Sequence, residues 1–472
     1  MAQLLSTTGR GVPELPNQPE RLMGIRGIKV NRRLRAALVF AFGVVACFAA
    51  YGEDLTQVYV LSKAGDPKYR AAYHEFEAIK FSEPQALAGL LPTLGLEYVE
   101  TRTEQRILSS GNTVYGAGKS SYPGNSTTLT LTQPIFKLSA WAGYAQAKAK
   151  VRQAATSFAA TEQDLMLRVA TAYLNALGAR DVLEFAEAER DAIKRQLDLV
   201  QERFQSGLAA RVGLHDAKAR YEVKEADVVA ARNDLDDKLQ ALQEMTGRQV
   251  SALKPLREDI PLEQPEPPDI QKWIESGKEQ NLQLMARRLQ VEMAHEEINR
   301  QRSGHAPVLD LVATRNNNVT GGSLFGGGSN VETTNFMVRL TVPIYAGGAT
   351  SALTGEAVSR YHASQEDVER EARQVERQAR AAFQGVTGGI VRVKALAQGV
   401  VSALSARSLK VEGYKSGLGT VLQVLDAERD LYAAKRDSAK ARYDFVFNRL
   451  RLKQAVGTLS EGDLLEVSKL MN

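Results

Sequence analysis

Three places in the sequence carry side chains at spacings that chemistry uses. Gly118-Lys119-Ser120 has the ending of a phosphate-binding loop, in which backbone N–H groups and a lysine cradle phosphate oxygens. The loop's first glycine is missing, because Thr113 stands there, and the stretch lies between two alternating segments instead of ahead of a helix. His295-Glu296 starts a zinc-helix pattern but lacks the second histidine four residues on. His215-Asp216 sets an imidazole beside a carboxylate next to a helix turn, where packing or partner contact is the simpler role. No nucleophile–histidine–acid set emerges, so the sequence points away from an enzyme, and no cofactor or metal is expected.

The elements that position these residues come in two copies. Arg203-Phe204-Gln205-Ser206-Gly207-Leu208 answers Gly413-Tyr414-Lys415-Ser416-Gly417-Leu418 at an offset of 210, and Asp216-Ala217 answers Asp426-Ala427 at the same offset. Gln133-Pro134-Ile135-Phe136 answers Val342-Pro343-Ile344-Tyr345 at an offset of 209. The order of parts is the same in both halves, which is the signature of a tandem duplication. We place a first repeat at 53–254, a Pro-rich crossing segment at 255–269, a second repeat at 270–460 and a C-terminal segment at 461–472.

Each repeat opens with a charged, helix-like stretch, 66–90 or 278–304. Two alternating segments follow, 92–106 and 126–135 in the first half, 306–315 and 335–343 in the second. Leu129 and Leu131, then Val338, Leu340 and Val342, recur at period two with polar residues between, as lipid-facing strands do. Polar loops are expected at 107–125 and 316–334, the second rich in Asn and Gly and expected to be mobile. Long helices then span 138–204 and 349–415, each about 100 Å at 1.5 Å per residue, and each ends at a Ser-Gly-Leu turn. Helices at 208–247 and 418–457 run back. A returning helix and a pre-strand helix together match the long helix in length, so two short helices stacked end to end should pair with one long one.

Composition narrows the setting. Charged residues are 24% and hydrophobic ones 44%, and the sequence shows no run of about 18 apolar residues after residue 50, which argues against ordinary helical spans. Short alternating strands escape that test. Residues 1–52 read as a removable targeting segment, with Arg32, Arg33 and Arg35 ahead of the apolar stretch from Ala36 to Ala50. That segment has seven Arg/Lys and two Asp/Glu, a net +5 equal to the +5 of the whole chain, so the remainder is neutral. The basic balance is therefore a targeting feature and gives no case for nucleic acid as a partner. The lone cysteine, Cys47, lies in this segment; Val44-Val45-Ala46-Cys47 also fits a lipoprotein cleavage box, an alternative that would acylate it.

Four strands cannot span a membrane alone, because open sheet edges leave backbone groups unpaired in hydrocarbon. Two chains would give eight strands, a barrel filled by its own side chains, whereas three give twelve and a lumen. A homotrimer with one shared barrel in contact with membrane lipid is the economical solution.

The tract from Gln133 to Trp141 resembles the strand-to-helix corner of the TolC family of outer-membrane efflux proteins. So do Glu53 to Tyr59, Ala170-Thr171-Ala172-Tyr173-Leu174-Asn175 and Pro343-Ile344-Tyr345-Ala346-Gly347-Gly348, together with the tips at 203–217 and 413–432. The resemblance covers nearly all of 53–470. It implies a mixed α and β fold with two tandem repeats, each giving a β-hairpin to a shared 12-stranded trimeric outer-membrane barrel and long helices to a periplasmic α-barrel. It also implies partners: a periplasmic adaptor (membrane fusion protein) and an inner-membrane ABC or proton-driven transporter.

In such ducts the helix pair after the second hairpin closes the periplasmic mouth and untwists to open it. By resemblance Tyr414 matches a constraining tyrosine and Asp426 an acid of the constriction ring, with Asp430 one helical turn on. Three inward carboxylates would favour cations. Gln423 stands where a second ring acid is expected, and Gly419 and Gly213 replace a locking arginine and its aspartate partner. The latch is therefore expected to be weakened or rebuilt, with Arg211 nearby. Gly207, Leu208, Gly417 and Leu418 sit at the free hairpin ends, where an adaptor would dock. Pro134, Trp141, Pro343, Gly347 and Gly348 form the corners, with Trp141 an anchor at the inner rim.

A periplasmic adaptor shares long α-hairpins but would lack the doubled β-hairpins, and a soluble coiled coil would need no targeting segment. Among exit ducts, closeness to TolC proper leans toward type I secretion of a protein toxin over a multidrug efflux component.

Overall fold

The computed structural model describes residues 52–109, 111, 117–250, 252–323 and 327–471, all within the compact unit Gly52–Asn472. The expected targeting segment, with Cys47, lies outside the described residues, Gly52 excepted.

The first half begins with α1 (Leu55–Gly65), α2 (Pro67–Lys80) and α3 (Ser82–Ala88). The expected 66–90 helix is interrupted at Phe81, because Pro84 has no N–H to donate and is tolerated only in the first turn of a new helix. Strands β1 (Thr93–Ile107) and β2 (Gly118–Phe136) lead into the long α4 (Leu138–Gln205), and α5 (Arg211–Thr246) returns. The second half repeats the order with α6 (Ile270–Gln280), α7 (Leu282–Arg302), β3 (Val308–Thr320), β4 (Ser329–Thr341), α8 (Ala349–Lys415), α9 (Val421–Ala455) and a closing α10 (Glu461–Ser468).

The strands form one antiparallel sheet in the order β1-β2-β3-β4. Its register brings Leu94 opposite Leu131, Leu131 opposite Ala313, and Ala313 opposite Phe336, so the apolar residues share one face. The other face carries Thr128, Thr130 and Thr314, with the Asn316 amide donating to Thr128 Oγ1 at 2.9 Å. Both outer strands keep a free edge among the described residues.

The strands are longer than the sequence reading had them. β2 starts at Gly118, within the expected loop 107–125, and β3 and β4 run to Thr320 and from Ser329, within the expected loop 316–334. These extensions are largely polar, with Val319 and Val331 isolated among Asn, Ser and Thr, so period two disappears from the sequence while backbone pairing continues. The Arg315–Glu332 ion pair ties β3 to β4 there.

The stacking of short helices takes the same form in both halves. A Cβ on Gly65 would come within 2.3 Å of the Thr246 carbonyl oxygen, and a Cβ on Gly457 within 2.2 Å of that of Gln280. Only glycine admits these approaches, which bring the end of α5 against the α1–α2 junction and the end of α9 against the α6–α7 junction. Asn281 seals the second by accepting from Leu284 N at 3.0 Å and donating to the Ala455 carbonyl at 2.9 Å.

The main apolar core forms a girdle at these junctions. It gathers Leu55 and Tyr59 of α1, Leu165, Val169, Tyr173 and Leu177 of α4, Leu242 of α5, Val386 of α8, Phe445 of α9 and Leu464 of α10. The Tyr173 hydroxyl lies between the carbonyls of Glu53 at 2.9 Å and Lys254 at 3.0 Å, and burial raises its pKa. Burial alone would lower the Lys63 ammonium, but hydrogen bonds to Glu162 and Glu461 outweigh it and raise its pKa. The same bond from Lys63 holds the Glu461 carboxyl below its ordinary range. Toward the barrel, Glu297 of α7 accepts from Gln146 of α4 at 3.0 Å; the Arg300 hydrogen bond, outweighing burial, holds its pKa at about 2.

One feature of α8 departs from the sequence reading. An 18-residue stretch of this helix has a mean hydropathy of 1.2, enough by length and composition alone to cross a membrane, yet only 11% of it is buried. Valine, leucine, isoleucine and alanine supply that hydropathy, interrupted by Arg392, Lys394 and Gln398, so no long unbroken apolar run forms. Val391, Val401 and Leu404 of α8 are left exposed.

Candidate functional site at the helix-hairpin tips

Both long helices turn at glycines whose φ is positive, Gly207 at 74° and Gly417 at 78°, as a left-handed helix stop requires. Leu208 N bonds back to the Arg203 carbonyl at 2.7 Å and Leu418 N to that of Gly413 at 2.9 Å, which closes each turn. The leucines that follow point away from the protein: Leu208 is 79% and Leu418 90% exposed. The returning helices start at Arg211 and Val421, three residues later than the sequence reading placed them, because the turns occupy those residues.

The two starts differ. Thr420 forms a capping box with Gln423: Thr420 N donates to Gln423 Oε1 at 3.1 Å, and Gln423 N to Thr420 Oγ1 at 3.3 Å. The Gln423 side chain thus serves its own helix end. At the matching place α5 has Ala210 and no side-chain cap.

Tyr414 is buried in a small apolar cluster with Val200 and Val424. The Arg203 guanidinium lies 4.6 Å from its ring centroid, a cation–π contact across the two hairpins. Asp426 Oδ1 is 2.8 Å from Arg220 Nη2 of α5 and 3.6 Å from Arg429, whereas Asp430 pairs with Arg429 at 2.9 Å. The pairing partner of Asp426 across the hairpins is Arg220, a residue the sequence does not single out; Arg211 is expected there only as a neighbour of the weakened latch. A Cβ on Gly213 would sit 3.3 Å from Val421 Cγ1, and one on Gly419 only 3.2 Å from Tyr414 N. Both glycines therefore sit where the chain is closely packed, with little room for a longer side chain.

Further from the tips lie charges that the sequence reading missed. Glu428 of α9 is 4% exposed and pairs with Arg407 of α8 at 2.7 Å. Glu189 of α4 is 1% exposed and takes a hydrogen bond from Arg436 of α9 at 3.1 Å. Its other oxygen has the Lys224 ammonium of α5 at 3.1 Å as an ion pair without a hydrogen bond, and that ammonium also pairs with Asp227 at 2.9 Å. Stranding such a buried charge costs about 3–5 kcal/mol, against ~0–1 kcal/mol for an exposed pair. Their signal was present in the sequence: Glu428 follows Val424 and Leu425 on an apolar stripe, and Glu189 stands between Ala186 and Ile193. Burial raises the Tyr432 hydroxyl, and the Asp430 hydrogen bond raises Arg429.

At the other end, Pro134 adjoins an irregularity between Pro134 and Phe136, and Gln133 Nε2 reaches the Leu90 carbonyl at 3.0 Å. Trp141 stands exposed on the first turn of α4. Pro343 follows β4, and Gly347 and Gly348, with φ of 61° and 84°, deliver the chain into α8. Lys119 lies in strand β2 opposite Arg106, which is not the loop a phosphate site needs.

An antiparallel sheet with one apolar face, joined to doubled helical hairpins, defines the protomer of a barrel-and-duct protein. Residues 58–248 and 273–458 match the outer membrane efflux protein family. The outer membrane protein TolC of Vibrio cholerae is 34% identical over 424 residues, covering 89% of this chain and 94% of its own length. The proteases secretion protein PrtF of Dickeya chrysanthemi is 29% identical over 439 residues, covering 92% of this chain and 95% of its own. Among solved structures, the Campylobacter jejuni CmeC outer membrane channel superposes with a TM-score of 0.75 at 16% identity, over 89% of this chain and 90% of its own. The chain belongs to the outer membrane efflux protein family, which includes TolC. It is an outer-membrane channel that serves efflux or secretion and extends into the periplasm, and it is not an enzyme.

Proposed function

We propose that three copies of this chain form the exit duct of a type I protein secretion system. The observation that carries the cargo class is the end-to-end match to PrtF, a protein named for protease secretion, over 95% of that protein's length. The trimer rests on the four-stranded sheet with its two free edges, since three such sheets close a 12-stranded barrel. Exposed Val391, Val401 and Leu404 on α8 suit lateral packing between copies in the periplasmic α-barrel. Leu208 and Leu418, presented by Gly207 and Gly417, suit docking of a periplasmic adaptor that links the duct to an inner-membrane transporter. The corners at Pro134, Trp141, Pro343, Gly347 and Gly348 turn each strand into its duct helix.

The tips act as the gate. Tyr414 under Arg203 and Asp426 on Arg220 hold the second hairpin against the first, in place of the arginine and aspartate that Gly419 and Gly213 replace. Because Arg220 and Arg429 flank Asp426, the throat is less acidic than a ring of bare carboxylates, and Asp430 is likewise offset by Arg429. Gln423 sets the start of α9 by its cap. In a strain lacking this chain, loss of secreted protein with unchanged drug tolerance is expected. Intact secretion with drug hypersensitivity would overturn the cargo assignment in favour of efflux.

A further inference from the structure

We propose that Glu189 is the fulcrum of the gate: the second hairpin bends away from the first only on the tip side of the contact among Glu189, Lys224 and Arg436. This rests on the gate reading above and adds where the movement stops.

Two independent features of the packing meet at this residue. On the barrel side the apolar core is continuous, reaching Leu177 on α4 and Ala439 on α9, one helical turn from Arg436. There α4 and α9 are also locked by Tyr443, whose hydroxyl donates to Asp181 at 2.6 Å and whose ring lies over Gly178. On the tip side, the buried apolar contact between the hairpins shrinks to two small clusters with three buried residues each, Ile193–Ala217–Leu425 and Val200–Tyr414–Val424, edged by partly buried side chains such as Val421. Of the polar ties there, Arg220–Asp426 joins partly exposed groups that water can take over when they part, and Arg203 meets the buried Tyr414 ring through a guanidinium that is itself only half-buried.

Glu189 itself cannot part so cheaply. It is 1% exposed, its Oε2 accepts from Arg436 on the second hairpin, and its Oε1 faces Lys224 on its own hairpin. Pulling α9 from α4 at this level would take from a carboxylate that is 1% exposed the one cation that hydrogen-bonds it, a larger penalty than losing an exposed pair. Opening should therefore spend itself beyond this point, on an arm of roughly 27 Å of helix from Glu189 to the turn at Gly207.

Thiol cross-linking on either side of Glu189 tests this in the full-length trimer. The pair Ala217→Cys with Leu425→Cys joins α5 to α9 on the tip side. The pair Gly178→Cys with Tyr443→Cys joins α4 to α9 on the barrel side. Bilayer conductance under opening conditions is compared before and after a short bis-thiosulfonate linker, and again after reduction. The tip-side link should cut open conductance at least tenfold, reversibly, and the barrel-side link should change it less than twofold. If both links, or only the barrel-side link, abolish opening, the fulcrum is not at Glu189. If neither does, the hairpins do not gate and the reading beneath the proposal fails with it. Should the Tyr443 variant not assemble, amide exchange of the unaltered trimer decides: protection along α9 should step down at least tenfold on passing Arg436 toward the tip, and a smooth gradient contradicts the proposal.

Discussion

The two hairpin tips descend from one repeat, yet they are built to different stiffness. In the second, Thr420 and Gln423 cap α9 and the buried Arg407–Glu428 pair staples α8 to α9. At an offset of 210 the first tip has Ala210 and Gly213 in place of the cap, and Leu197 and Lys218 in place of the pair. Lys218 reaches only an exposed Glu222, at 4.0 Å. Residues that match in the repeat have thus separated into a self-contained hairpin and a plainer one. The difference teaches that the ties within the second hairpin do not depend on its ties to the first, as the gate proposed above requires.

Stranding the buried carboxylate should have the largest effect. Arg407→Ala leaves Glu428 without its partner and should cost about 3 kcal/mol in denaturant unfolding, whereas Leu197→Ala in the first hairpin should cost less because that side chain is only half-buried. Equal losses would erase the contrast between the tips. Next, Thr420→Ala should cost about 1 kcal/mol and speed amide exchange in the first turn of α9. The reverse change, Ala210→Thr, should gain about 0.5 kcal/mol, because Ala210 already has the extended backbone of a cap residue. If it gains nothing, the first tip is plain for a reason other than a missing hydroxyl.

A separate check that their difference is local lies away from both tips. Glu297 has a pKa held below its ordinary 4.5, at about 2, so its stabilisation is complete above that ordinary value and is lost as pH falls toward 2. The melting-temperature gap between wild type and Glu297→Gln should be constant above pH 5 and close as pH nears about 2. A gap that widens on acidification reverses the sign and contradicts the assignment.

Much of this arrangement was legible in the chain because it is written locally. Ser-Gly-Leu at two matched places marks the turns, and alternation at Leu129–Leu131 and Val338–Leu340 marks the lipid-facing face. What the sequence hid depends on pairing between distant elements. The polar strand ends beyond Asn125 and Asn316 have no alternation to show, because neither of their faces is apolar. Arg220 meets Asp426 across the packing of α5 on α9, close at Gly213 and Val421, a fact of helix register that no local pattern carries. Gln423, read by resemblance as a gate position, is committed to a cap three residues back, which a Thr-x-x-Gln spacing could have revealed.

Single-channel conductance tests the central claim, a gate held by Arg203 on Tyr414 and Arg220 on Asp426, most directly. The purified trimer should show a small closed-state conductance in planar bilayers, and Arg203→Ala with Arg220→Ala should raise it several-fold without loss of trimer. An unchanged conductance in that intact double variant would contradict the account.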